Sequence, residues 1–149
     1  MDKKVFSPNE LIKIATNHAY CAAYLLDNNA ELPASRGTTA DALFAITTLM
    51  YMAFELTLKA YLLHDHKKTI QPKSLMELLE LNSELRIADQ DRQLLRTLSR
   101  QQAFRKGTDY ELWEARQELQ LFCAEIMDFY ERLQEVMPLE LQRDYQCFA

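Results

Sequence analysis

The sequence predicts an all-α fold, an up-and-down antiparallel bundle of four to five helices. Three observations carry this expectation. The 149 residues include only two glycines, whereas glycine averages about 7% of ordinary chains. Positions with cheap positive φ are therefore scarce, and strand-rich folds, which need many turns, are disfavoured. Apolar residues make up 48% of the chain and recur at helical spacing over long stretches. The links between those stretches are mostly short, which makes successive helices antiparallel neighbours.

The first helix is expected from about Pro8 to Asp27. Ser7 suits its N-cap, Pro8 its first position, and Glu10 completes a capping box. Leu11, Ile14, Ala15, His18, Ala22, Leu25 and Leu26 follow helical spacing. Ala30 to Thr39, with Pro33 and Gly37, reads as a loop. The second helix is expected from about Ala40 to His64, with Thr38 or Thr39 as cap and Asp41 in its first turn. It is apolar on nearly all sides, as a helix at the centre of a bundle should be. Ser74-Leu75-Met76-Glu77 opens a short third helix to about Leu81.

Asp89 or Asp91 opens a fourth helix reaching about Phe104, with Leu94, Leu95 and Leu98 as its apolar positions. Arg105-Lys106-Gly107-Thr108 breaks it. The fifth helix is expected from about Tyr110 to Val136, with Leu112, Ala115, Leu119, Phe122, Ile126, Phe129 and Leu133 as its stripe. Pro138 stops it, and residues 138–149 form a tail on a single domain spanning 1–149.

Charge and cysteine usage narrow the function classes. The net charge is −5, which disfavours indiscriminate nucleic-acid binding. Residues 86–106 nevertheless carry 6 basic and 2 acidic groups, while residues 107–149 carry 3 basic and 10 acidic ones. Cys21, Cys123 and Cys147 are odd in number and scattered, so neither a disulfide framework nor a zinc pattern is expected. The first residues show no signal-peptide core, and a cytoplasmic location is the expectation. The uncharged run Ala42–Phe54 falls short of the roughly 20 residues that span a bilayer. No membrane association and no cofactor are expected.

Metal and nucleophile chemistry find little footing. No histidine lies three residues after a glutamate, so the Glu-x-x-His pattern of bundle di-iron sites is missing. His64-Asp65-His66 reads as a turn without enough ligands for a metal centre. Cys21 and His18 share a helix face and are expected as a buried thiol and a satisfied core imidazole. Glu55 and Lys59, spaced i,i+4 in the most apolar helix, form either an exposed pair or part of a polar cleft. In the cleft reading Arg96, Arg100 or Arg105 would partner the carboxylate.

The basic island is the best candidate site. Arg92, Arg96 and Arg100 are spaced by four and make one stripe along the fourth helix. Arg105, Lys106 and Tyr110 follow at its end. Arginine forks match phosphate geometry, and an aromatic ring stacks on a base. The alternative is a solvated face balancing Glu111, Glu114, Glu118 and Glu125 of the next helix.

Leu49 to Leu81 resembles the second and third helices of HEPN-domain proteins. The resemblance rests on Glu55-Leu56-Thr57-Leu58-Lys59-Ala60, then Leu75-Met76-Glu77-Leu78, with Ala103-Phe104-Arg105-Lys106-Gly107 further on. It implies a helical bundle, commonly dimeric. Many members are metal-independent RNases of toxin–antitoxin, abortive-infection and CRISPR-linked systems, with an Arg-x4-6-His site built across a dimer. Others bind RNA or nucleotides without catalysis. Here no histidine follows Arg96, Arg100 or Arg105 at those spacings. No imidazole is therefore present there to move a proton near neutral pH.

Three expectations follow. The first is a non-catalytic HEPN-like module, a homodimer, binding RNA, a nucleotide or a protein through Arg96, Arg100, Arg105, Lys106 and Tyr110. Glu55 and Lys59 would shape its cleft. The second is a divergent metal-independent RNase using Arg100, Arg105 and Tyr110, since arginine stabilises phosphate charge without a general base. The third is an interaction protein or inhibitor whose acidic last helix mimics nucleic acid or docks a basic partner.

Overall fold

A computed structural model describes residues 6–28, 31–33, 39–64, 74–82, 84–101, 116–138 and 141. The elements in chain order are α1 (Pro8–Asp27), β1 (Glu31–Pro33), β2 (Thr39–Asp41), α2 (Leu43–His64), α3 (Leu75–Leu81), α4 (Asp89–Gln101) and α5 (Arg116–Glu135). The architecture is an all-α helical bundle.

Local sequence sets the helix ends. Ser7 Oγ accepts from the Glu10 amide at 3.2 Å, and the Glu10 carboxylate accepts from the Ser7 amide at 3.3 Å. This capping box satisfies amides that the first turn leaves without helical partners. Ser74 caps α3 the same way, accepting from the Glu77 amide at 3.1 Å. At the far end of α3, Asn82 is buried, and its Nδ2 donates to Leu78 O at 2.8 Å and to Leu58 O at 3.3 Å. One side chain thus closes α3 and ties it to α2.

α2 is the axis of the bundle and touches all four other helices. Ile46, Met50, Phe54 and Leu58 are fully buried on it. Each such side chain contributes about 1.5–3 kcal/mol relative to exposure. α1 packs most extensively on α2 and buries Leu11, Ile12, Ala15 and Ala19. α5 presents Leu119, Phe122, Ile126, Phe129 and Leu133, all buried. Phe54 stacks at a tilt on Phe129 and meets Tyr130 edge-on, both at 5.3 Å between ring centres. Thr57 and Tyr130 exchange a hydroxyl hydrogen bond of 3.1 Å inside this cluster.

Contacts fix the helix directions. Cys123 reaches Leu43, and Tyr130 reaches Phe54 and Thr57, so α2 and α5 run in the same sense. Asp91 meets Arg132, while Leu94 shares a groove with Leu121, so α4 runs opposite to α5. The long helices α2, α4 and α5 therefore alternate in direction, with the short α3 lying in the chain between α2 and α4.

Four expectations need correction. Ala30–Thr39 is not wholly a loop: β1 and β2 pair antiparallel, with Leu32 opposite Ala40. α2 begins at Leu43, not Ala40, because Thr39 to Asp41 are held in that ladder. Thr39 therefore does not cap the helix and Asp41 is not in its first turn. The buried face of α1 includes Ile12, Thr16 and Ala19, whereas Ile14 and His18 sit at its edge, half-buried. The parts of the fourth and fifth helices expected at Gln102–Phe104 and Tyr110–Ala115 lie outside the described residues, as does Thr38.

Among the described residues α2 alone is long and apolar enough to cross a membrane, and half of its most apolar window is buried in the bundle.

Candidate functional site

The orientation of α4 decides where its charges point. Leu95 and Leu98 are fully buried and Asp91 is 8% exposed, which fixes the helix about its axis. Asp89 and Asp91 lie in its first turn and Arg100 in its last, so both ends complement the helix dipole. With that rotation set, Arg96 and Arg100 are exposed and Arg92 is half-buried. Arg96 and Arg100 have neither a hydrogen bond nor an ion pair to a described residue. Among the described residues nothing takes their guanidinium donors. Arg105, Lys106 and Tyr110, expected in the same site, lie outside the described residues.

Arg132 behaves in the opposite way. Its Nη1 and Nη2 donate to the two carboxylate oxygens of Asp91 at 2.8 and 2.9 Å, and its Nε donates to Asp128 at 3.0 Å. The guanidinium also lies 5.4 Å from the centre of the Phe129 ring. Hydrogen bonds to Asp91, then to Asp128, hold its pKa above the already high arginine value. This clasp joins α4 to α5 and leaves Arg132 little capacity for a ligand.

Glu55 and Lys59 meet each other. Lys59 Nζ donates to Glu55 Oε1 at 3.0 Å, with the Lys59 side chain 36% and the Glu55 side chain 26% exposed. Neither forms an ion pair with Arg96 or Arg100. The two half-buried charges pair with each other along α2, and Arg105, the further partner named in the cleft reading, lies outside the described residues.

The Cys21–His18 pair also differs from expectation. Cys21 is exposed, because a face built on Ile12, Ala15, Thr16 and Ala19 turns position 21 outward. His18 is half-buried, with Nδ1 2.8 Å from Ile14 O. Tyr20, on the same helix, has a buried hydroxyl, and burial pushes its pKa above 10.0. Among the described residues no group of three histidine, cysteine, aspartate or glutamate side chains is placed to hold a metal ion.

Sequence reasoning missed the Asp91–Arg132 clasp. Asp91 reads as a helix-start acid, and its partner lies 41 residues away. The available signal was Arg132 itself, a cation set among Glu125, Asp128, Glu131 and Glu135 beside a buried stripe. Beside the clasp runs a groove of about 520 Å³ between α4 and α5, which the sequence does not announce.

No family model, no curated protein and no solved structure matches this chain.

Proposed function

We propose that the chain is a non-catalytic binding module that contacts the phosphates of RNA or a nucleotide through the basic flank of α4. The observation that carries this reading is the contrast among arginines. Arg132 is saturated by two carboxylates, whereas Arg96 and Arg100, one turn apart, are exposed and have no partner among the described residues. Phosphate recognition needs uncommitted guanidinium donors on a rigid element. α4 supplies that rigidity through Leu95 and Leu98.

The resemblance to HEPN-domain proteins supplies the setting for this reading. The module acts as a cytoplasmic homodimer in a bacterial or phage defence, toxin–antitoxin or regulatory system. Arg105, Lys106 and Tyr110, which follow α4 in the sequence, join this reading as further contact residues, with the Tyr110 ring a candidate for base stacking. Binding rather than cleavage is favoured because no histidine stands four to six residues after Arg96, Arg100 or Arg105.

Titration of a labelled single-stranded RNA into the full chain tests this reading. Wild type binds, and Arg96→Ala/Arg100→Ala weakens binding at least about tenfold, since two phosphate contacts are lost. Equal affinity of the two proteins overturns it. RNA cleavage by wild type but not by Arg100→Ala would instead establish a catalytic role.

A further inference from the structure

The α4–α5 groove lies on the other flank of α4 from the arginine stripe. Leu94 and Arg96 are two residues apart, which turns them about 160° from each other around the helix. The groove therefore goes beyond the phosphate-contact reading and uses different side chains. Gln90 and Leu94 form one wall, and Leu121, Glu125 and Asp128 form the other. The Asp91–Arg132 clasp separates it from a smaller hollow of about 130 Å³ beside Ile87 and Val136.

Its chemistry is an apolar centre between carboxylates. Leu121 is 65% exposed, a large apolar side chain left in water. Glu118 and Glu125, about one turn to either side on the same ridge of α5, are exposed and have no ion pair with a described residue. Arg132 does not neutralise them, because Asp91 and Asp128 take its donors.

We propose that this groove docks a basic amphipathic helix of a partner protein. One apolar side chain of that helix seats between Leu94 and Leu121. Lysines or arginines a turn to either side of it meet Glu118 and Glu125. The α5 charges recur at helical-turn intervals, which matches the repeat of a helix laid alongside. A second copy of this chain fits less well. Its α4 is basic, but Leu95 and Leu98 are buried in its own core, so it offers few apolar anchors. Nucleic acid is repelled by the same carboxylates that favour a basic helix.

The test uses the full chain and a fluorescein-labelled helical peptide of about 15 residues, with leucines on one face and lysines on the other. A leucine/glutamate peptide of the same pattern is the control. The lysine peptide should bind at least about tenfold tighter than the glutamate peptide. Leu121→Ser/Glu125→Lys should weaken it at least about tenfold, with amide shifts in wild type centred on Leu121 and Glu125. Both residues are exposed, so the variant should keep its circular dichroism spectrum. Arg96→Ala/Arg100→Ala should leave peptide binding unchanged. Equal binding of the two peptides, or indifference to Leu121→Ser/Glu125→Lys, overturns the proposal. So does a sedimenting dimer that this variant dissociates, which would make a second copy the occupant.

Discussion

Asp91 and Arg132 are joined by two parallel hydrogen bonds, 2.8 and 2.9 Å long, across the interface of α4 and α5. Asp91 is buried at the start of α4, while about half of the Arg132 side chain remains exposed. The clasp thus anchors the beginning of the helix that carries the arginine stripe. Partial exposure of the cation screens the pair, so its contribution is modest.

Replacing either partner leaves the other without its fork. Asp91→Ala and Arg132→Ala should each destabilise the fold by about 1–2 kcal/mol, within the range of charge-assisted bonds after solvent screening. Urea unfolding of both variants and the double variant measures the coupling. A coupling near zero would show that the pair contributes nothing beyond the groups' separate packing.

Alkaline stability separates two groups whose pKa values are raised. For Arg132, the stabilising contribution is fully present below the already high unfolded arginine value and is lost only as pH rises through its still higher folded value. The clasp therefore persists through ordinary alkaline conditions. For Tyr20, the unfolded value is 10.0 and burial raises the folded one. Above pH 10 the unfolded chain ionises Tyr20 first, so stability falls as pH rises through the folded value. Wild type should lose more stability than Tyr20→Phe between about pH 9 and 11. Parallel stability curves for the two proteins would contradict this.

The aromatic cluster at the bundle axis is the most sensitive packing site. Phe54 is fully buried and meets both Phe129 and Tyr130. Phe54→Ala should cost about 3–5 kcal/mol through lost burial and the cavity left behind. The shift of the denaturation midpoint checks this, and a loss under about 1 kcal/mol would show that the cluster collapses to fill the space.

The Glu55–Lys59 pair should matter little. An i,i+4 pair on a helix surface contributes about 0.2–0.5 kcal/mol. Lys59→Ala should change stability by no more than that and should leave RNA affinity unaltered. A large loss of RNA binding would restore these residues to the binding surface.

The helices were legible because their signals are local. Ser7 and Glu10 are three residues apart and meet as a capping box. The α5 stripe from Leu119 to Leu133 is buried at every expected position described. Errors arose where distant contacts decide the outcome. Thr39 has the chemistry of a cap, yet strand pairing with Pro33 takes it. Cys21 has the composition of a core residue, yet the face of α1 that buries Ile12, Ala15 and Ala19 turns it outward. In the candidate site, the spacing of Arg96 and Arg100 was readable. That neither has a carboxylate partner among the described residues was not, because it depends on which side chains the fold brings beside α4.

The salt dependence of RNA affinity tests the phosphate-contact reading most directly. Each phosphate engaged on a single strand contributes about 0.7 to the slope of log affinity against log salt. Arg96→Ala/Arg100→Ala should lower affinity and reduce that slope by about 1.4 relative to wild type. Unchanged affinity and slope would contradict a role for the α4 flank in phosphate binding.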